Sequence, residues 1–196
     1  RSVEVAMKHG VRLQVLSSFT DEPGTLVVNE DEIVEQELVS GIAYSRDEAK
    51  ITLIRVPDRP GVAAGIFGSL ADANINVDMI VQNVSADGKT TDLTFTVTMG
   101  DLDNALKTLA GNREELAYGD VLSDLNVVKV SVIGVGMRSH AGVAQKMFHT
   151  LSEKGINIQV ISTSEIKVSV LISEDYTELA LRALHHAYGL DAEKEE

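Results

Sequence analysis

The sequence contains no cysteine, and this absence excludes disulfide bonds and metal sites built from thiolates. No apolar stretch approaches the roughly 20 residues that a membrane-spanning helix needs, and no secretory signal peptide is visible. Basic residues are scarce: 17 lysines and arginines stand against 30 aspartates and glutamates, so the formal net charge is −13. A chain this acidic is a poor match for a phosphate backbone. We therefore expect a cytoplasmic protein that binds neither nucleic acid nor membranes.

The motifs of several enzyme classes are missing or incomplete. No Gly-x-x-x-x-Gly-Lys-Ser/Thr phosphate loop occurs. Gly134-Val-Gly136 lies between a predicted strand and a predicted helix, but a dinucleotide fingerprint requires glycine where Ser139 stands, and the acidic ribose ligand is missing. No histidine has metal-ligand spacing, and Ser139-His140 lacks a nucleophile-elbow context. The sequence thus predicts no catalytic residue and no metal site.

What the sequence does contain is an internal repeat, in a chain whose 44% hydrophobic content is enough to build a core. Lys50–Val56 resembles Lys129–Val135 at a spacing of 79 residues, and Gly61–Ala63 matches Gly142–Ala144 at a spacing of 81. The loop of the second copy is therefore two residues longer. After each loop, apolar residues recur at i, i+3, i+4 and i+7, which predicts an amphipathic helix. These residues are Ala63, Ile66, Phe67 and Leu70 in the first copy, and Ala144, Met147, Phe148 and Leu151 in the second.

The first copy reads as a βαββαβ unit, the ferredoxin-like motif, and the second copy follows the same order up to its second helix. In the first copy we predict one helix at Gly61–Ala73 and a second that Asp101 caps and that ends at Ala110. The predicted strands of this copy are Ala49–Val56, Val77–Val84, Thr91–Val97 and Leu116–Leu122. In the second copy we predict helices at Ala141–Lys154 and Tyr176–Tyr188, with strands at Val127–Val135, Asn157–Ser162 and Ile166–Ile172.

The second copy lacks a fourth strand, because only a short acidic tail follows its last helix. The segment Leu38–Tyr44, by contrast, precedes the first copy and belongs to neither. Pairing this segment with the second sheet removes both an open edge and an orphan strand. We therefore predict an α+β fold in which the first module is inserted within the second. Each module is expected to be an antiparallel sheet with two helices on one face.

The first 29 residues differ from the repeat. A helix at Arg1–His9, a strand at Val11–Leu16 and a turn at Asp21–Gly24 are predicted, too little for a domain, so we interpret them as the end of one. The predicted organisation is a remnant of an upstream domain (1–29), a linker with the completing strand (30–48), the first module (49–124), the second module (125–190) and an acidic tail (191–196).

The loop between the first strand and first helix of the first module is the best candidate for a ligand site. The amides of Gly61, Val62 and Ala63 would point outward without intrahelical partners, which suits an anion such as an amino acid's carboxylate. Asp58 or Asp78 could neutralise an ammonium group. On spacing alone, a turn role for Asp58 and a capping role for Gly61 are favoured over a ligand site.

The strings Pro57-Asp-Arg-Pro-Gly61 and Asn74-Ile-Asn-Val-Asp78 resemble the ACT domain, a small module that binds amino acids. Four further segments resemble the paired ACT modules of bacterial aspartate kinases: Asp78–Ser85, Thr91–Phe95, Lys129–His140 and Ile161–Ile166. Arg1–Glu4 and Ser17–Val27 resemble the end of that family's kinase domain. The resemblance covers nearly the whole chain.

The resemblance implies an effector site, expected between modules, with L-lysine or L-threonine as ligand, alone or together. Carried over by position, its residues are Asp58, Gly61, Val62, Ala63, Ile75, Asn76, Asp78 and Gln82 in the first module, with Asn157 and Ile158 in the second. The second loop departs from the pattern, with Met137–His140 in place of Asp-x-Pro. The two loops would then bind different amino acids, or one site would only assist the other.

The resemblance also implies a parent enzyme that phosphorylates L-aspartate with ATP and is inhibited by pathway end products. The family's Lys-x-Gly-Gly phosphate motif is absent, so we expect no catalysis by this chain alone and no cofactor in it. ATP and magnesium are expected only in the kinase domain. The implied partners are that kinase domain or a catalytic subunit, and a second copy of the chain. The alternative is a ferredoxin-like pairing module that holds an oligomer together without a ligand.

Overall fold

The computed structural model describes residues 2–28, 39–85, 88–134 and 141–191, and the chain forms two compact units, 1–38 and 39–196. The first unit contains helix α1 (Ser2–Lys8) and an antiparallel hairpin of β1 (Leu13–Val15) and β2 (Thr25–Val27). The helix and the first strand were predicted from the sequence and are confirmed, the helix with one residue fewer at each end and the strand at half its predicted length. In the hairpin, Gly24 has a φ of 66° and its Cα lies so close to the Val15 carbonyl that no side chain fits there.

The first module of the second unit is a four-stranded antiparallel sheet in the order β5-β6-β4-β7. Its elements are β4 (Ala49–Pro57), α2 (Val62–Asp72), β5 (Asp78–Val84), β6 (Thr90–Val97), α3 (Leu102–Gly111), α4 (Arg113–Leu116) and β7 (Asp120–Asp124). Alternate residues of β4 and β6 form the core with the apolar faces of α2 and α3. The Phe95 ring is fully buried and meets Phe67 of α2 edge to face, with ring centroids 5.5 Å apart.

The second module has the same layout in the order β3-β8-β10-β9. Its elements are β3 (Gly41–Ser45), β8 (Val128–Ile133), α5 (Ala141–Glu153), β9 (Val160–Thr163), β10 (Lys167–Ile172) and α6 (Thr177–Tyr188). Strand β3 pairs antiparallel with β8 and takes the edge position that β7 takes in the first module. The predicted fold is therefore confirmed, including the insertion of the first module into the second. Leu38, the start of the predicted strand, lies outside the described residues.

Two local predictions in the first module were wrong. Leu116 ends the short helix α4, because Arg113-Glu-Glu-Leu116 favours a helical turn, and Ala117 then reverses the chain with a φ of 54°. The fourth strand therefore begins only at Asp120. Asp101 makes no side-chain cap to α3; its carboxylate instead accepts a hydrogen bond of 2.8 Å from the Thr98 hydroxyl, within a 3₁₀ turn that leads into the helix.

The two modules meet along the edge strands β5 and β9. Met79 and Val160 are buried there together with Leu171, and Val81 packs against them. Two polar contacts flank this cluster: Lys129 of the second module binds Asp78 of the first, and Lys50 of the first binds Gln159 of the second. These contacts are equivalent under the internal repeat, since Lys50 corresponds to Lys129 and Asp78 to Gln159. The modules thus face each other reciprocally, as the halves of a symmetric dimer do.

Some sequence predictions fall outside the described residues. They concern Val135–His140, which includes Gly136 of the Gly134-Val-Gly136 element and both residues of Ser139-His140, and the tail beyond Asp191. Among the residues that are described, no group of histidines and carboxylates could hold a metal ion. No helix in the same part of the chain is long and apolar enough to cross a membrane.

Candidate effector-binding site

Strand β4 is bulged just before it reaches the candidate loop. Leu53 pairs with Leu93 and Val56 pairs with Thr91, so three steps along β4 oppose two steps along β6. The extra residue places Arg55 in the left-handed region, with a φ of 54°. A regular strand would turn Arg55 toward the core and Val56 away from it. The bulge instead keeps Val56 buried and leaves Arg55 exposed.

Helix α2 begins directly after the loop, and its N-terminus is uncapped by any side chain. Its first backbone hydrogen bond of the α type joins Gly65 N–H to the Gly61 carbonyl at 2.9 Å, so the amides of Ala63 and Ala64 precede the hydrogen-bond ladder. Gly61 adopts a φ of 94°, a conformation that strongly favours glycine. The helix therefore presents backbone donors and the positive end of its dipole to the space in front of the loop.

A cavity of about 480 Å³ lies at the start of α2, lined there by Gly61, Val62 and Ala63, and its size is in the range of small-ligand sites. Its apolar surface comes from buried side chains of the sheet and of α2, namely Val56, Ile66 and Leu93. Gln82 and Thr91 add polar atoms, and Asp58 and Arg59 place opposite charges at the rim. The Thr91 hydroxyl donates to the Asn83 carbonyl at 2.8 Å, which fixes its orientation. An anionic group, a cationic group and an apolar surface thus meet within one cavity.

The structure brings together five of the ten residues that the sequence assigned to the site. Asp58, Gly61, Val62, Ala63 and Gln82 all line the cavity. The other five do not line it: Ile75, Asn76, Asp78, Asn157 and Ile158. Ile75 is buried in the first core, Ile158 packs partly against the second, and Asn76 and Asn157 are exposed at equivalent positions before β5 and β9. The role of these five as effector ligands stays a prediction.

Asp78 lies at the junction between the modules. One of its oxygens accepts from Lys129 Nζ at 2.9 Å, and the other accepts from the Met79 amide at 2.8 Å. Partial burial acts to raise the pKa of Asp78, but these hydrogen bonds outweigh it and hold the pKa below the usual 3.8. Lys129 also binds the buried Glu48 carboxylate. Burial acts to lower the pKa of Lys129, and its two acidic partners raise it above 10.5.

Sequence reasoning missed several lining residues, among them Val56, Arg59, Thr91 and Leu93. Thr91 and Leu93 lie on the inward-facing side of the predicted strand Thr91–Val97, and the register Val56↔Thr91 brings them to the loop. A signal for Val56 was also present. Inward residues at Ile51, Leu53 and Val56 are spaced by two and then three, which indicates a bulge.

Comparison with known proteins identifies the class of domain to which each module belongs. Residues 50–113 match one model of the ACT domain and residues 130–188 match another, so each ferredoxin-like module corresponds to one ACT domain. The regulatory subunit of aspartate kinase from Thermus thermophilus, in a ligand-free crystal form, is 40% identical with a TM-score of 0.72, over 76% of this chain and 99% of that subunit. The crystal structure of aspartokinase alpha and beta subunits includes a chain that is 54% identical, with a TM-score of 0.72 over 77% of this chain and 99% of that one.

Longer relatives carry the same name. An aspartate kinase of Stutzerimonas stutzeri is 57% identical over 98% of this chain and 47% of its own length. The aspartokinase of Pseudomonas aeruginosa is 56% identical, with the same two coverages. The chain therefore belongs to the aspartokinase family and comprises its regulatory ACT region. It spans about half the length of these curated relatives.

Proposed function

We infer that this chain is the amino-acid sensor of an aspartate kinase. It binds L-lysine, L-threonine or both in the cavity in front of α2 and thereby mediates feedback inhibition of L-aspartate phosphorylation. The observation that carries this function is the pairing of Asp58 and Arg59 at the rim with the α2 amides and an apolar surface. An α-amino acid has a matching set of groups: an ammonium, a carboxylate and a side chain. The kinase domain or a catalytic subunit is then the partner on which the effector acts, and ATP and magnesium belong to that partner.

The sensor mechanism requires that the effector prefer one arrangement of the protein over another. Each ~1.4 kcal/mol of differential affinity shifts the equilibrium between two arrangements about tenfold. The cavity draws on β4, β5, β6 and α2, and β5 is also the strand that meets the second module. A ligand that contacts Gln82 can therefore affect the junction between the modules through β5, because Met79 lies three residues away on the same strand.

Calorimetric titration with L-lysine, L-threonine and their mixture tests this function. We expect binding to at least one of them, and we expect Asp58→Asn to weaken it about tenfold, because the variant removes the negative charge that offsets the ligand's ammonium. Asp72→Asn, at the far end of α2, is the matched control and should leave the affinity unchanged. No heat with either amino acid or with their mixture would reject the sensor function.

The alternative, a pairing module without a ligand, is favoured by one observation. Ile80 and Val84 of edge strand β5 are exposed, as is Ile161 of edge strand β9. Apolar side chains at a sheet edge suit the association of a second copy. Sedimentation would report a dimer under both functions, so only the titration separates them.

A further inference from the structure

The cavity depends on a backbone irregularity that lies outside it. Val56 faces the cavity only because the bulge at Arg55 shifts the inward and outward alternation of β4 by one residue. Arg55 holds a φ of 54°, a conformation that costs a side-chain-bearing residue free energy unless its surroundings fix it. The hydrogen bond that fixes it comes from the neighbouring strand.

The Arg55 amide donates to the Oδ1 atom of Asp92 at 2.9 Å. Asp92 lies between Thr91 and Leu93 on β6, and both of these neighbours line the cavity. Because side chains alternate along a strand, the Asp92 side chain lies on the opposite face of the sheet from the cavity. Asp92 therefore cannot touch a ligand there, yet it binds the amide of Arg55, a residue that has no partner in the register of β4 with β6 or β7.

The other side of the bulge is held by Gly119, just before β7. Its amide donates to the Ile54 carbonyl at 2.8 Å. A Cβ atom at this position would lie 2.8 Å from Arg55 Nε and 3.2 Å from the Ile54 carbonyl oxygen, both closer than such contacts are normally found. Glycine at 119 thus leaves room for the Arg55 side chain on the exposed face. The bulge therefore lies between the Asp92 carboxylate on β6 and Gly119, which has no side chain, just before β7.

We propose that Asp92 is a positioning residue: it holds the bulge at Arg55 and so keeps the effector cavity in its binding-competent shape. The proposal rests on the function inferred above. When the competent shape is populated only in part, the apparent dissociation constant rises by the inverse of that fraction. Losing the Asp92 acceptor should therefore weaken effector binding without removing any atom that the ligand touches.

The test compares Asp92→Ala with Asp92→Asn by titration with L-lysine and L-threonine. Asparagine keeps an Oδ1 acceptor for the Arg55 amide, whereas alanine does not. We expect Asp92→Ala to raise the dissociation constant about tenfold and Asp92→Asn to stay within about threefold of the parent chain. Asp103→Ala, an exposed aspartate on α3, is the control for loss of charge and should have no effect. Gly119→Ala approaches the bulge from the other side and should weaken binding in the same direction as Asp92→Ala.

A ligand-free measurement separates this proposal from the proposed function. The NMR signals of Arg55 report the bulge directly, through the downfield shift of its hydrogen-bonded amide and the coupling constant of a positive φ. Both should be lost in Asp92→Ala and kept in Asp92→Asn, whether or not the parent chain binds an amino acid. Unchanged Arg55 signals in Asp92→Ala overturn the proposal, and so does equal affinity of the parent chain and this variant. Silence of the parent chain in titration instead rejects the sensor function.

Discussion

Replacing Lys129 by methionine is expected to lower the free energy of unfolding by about 2–3 kcal/mol. Lys129 is the cation for two acids, Asp78 across the module junction and Glu48 just before β4. The Glu48 side chain is only 7% exposed, so its carboxylate would be left buried without a partner. The Asp78 side chain is 56% exposed, and solvent screens its share of the effect. Urea unfolding followed by circular dichroism measures the difference.

The internal repeat supplies a matched control for this prediction. Lys50 is the equivalent of Lys129 and has nearly the same exposure, but its partners are the neutral Gln159 and the 38% exposed Asp124. Lys50→Met leaves no buried charge behind, so it should cost about 1 kcal/mol or less. Adding Glu48→Gln to Lys129→Met should restore part of the lost stability, because the stranded charge is then removed. Equal losses for the two lysine variants would contradict the prediction.

The same ion pair predicts how stability depends on pH. Because the folded pKa of Asp78 lies below 3.8, its contribution is present above that pH and is lost as the pH falls through the lowered value. Because the folded pKa of Lys129 lies above 10.5, its contribution is present below that pH and is lost as the pH rises through the raised value. In between, the pair should contribute a constant amount. A comparison of the parent chain with the double variant Lys129→Met, Glu48→Gln, which leaves no buried carboxylate unpaired, should therefore give a flat difference across this window.

Most of the fold followed from the sequence because the repeat provided two readings of one motif. The second copy lacked a fourth strand, and the segment before the first copy had no sheet to join, so each left backbone hydrogen-bonding groups without partners. Pairing the two was therefore predicted, and Gly41–Ser45 does pair with β8. The error at Leu116 had a physical cause. Leu116 and Tyr118 are both buried, as alternate residues of a strand would be, but a helical turn and the left-handed Ala117 bury them instead.

Only some residues of the candidate site could be predicted from the sequence, because the others reach it through contacts between segments that are distant in the chain. The loop and helix start are local in sequence, so Asp58, Gly61 and Val62 could be predicted. Spacing alone favoured a turn and a cap for the first two, and the resemblance to ACT domains assigned them to a ligand site. Thr91 reaches the cavity through cross-strand register. The ion pair of Asp78 with Lys129 depends on how the two modules face each other. Met79 and Val160 pack together where the modules meet, and no sequence motif predicts this contact.

Replacing Gly61 by aspartate is expected to weaken effector binding about a hundredfold, or roughly 2.7 kcal/mol. Two causes act together. The residue must hold a φ of 94°, which costs a side-chain-bearing residue on the order of 1–2 kcal/mol. The new carboxylate would also occupy the positive end of α2, where the ligand's own carboxylate is expected to bind. Titration with L-lysine and L-threonine measures the loss.

Gly61→Asp should weaken effector binding much more than it lowers the free energy of unfolding, and this difference would identify Gly61 as part of the binding site. An aspartate at the start of a helix caps it and offsets part of the backbone strain, so the free energy of unfolding should fall by only about 1 kcal/mol. Gly61→Ala carries the strain without the charge and should weaken binding about tenfold. Gly68→Asp places the same charge on the exposed side of α2, where a side chain meets nothing within 4 Å, and should leave affinity unchanged. If Gly61→Asp binds as tightly as Gly68→Asp, the effector does not bind at the N-terminus of α2.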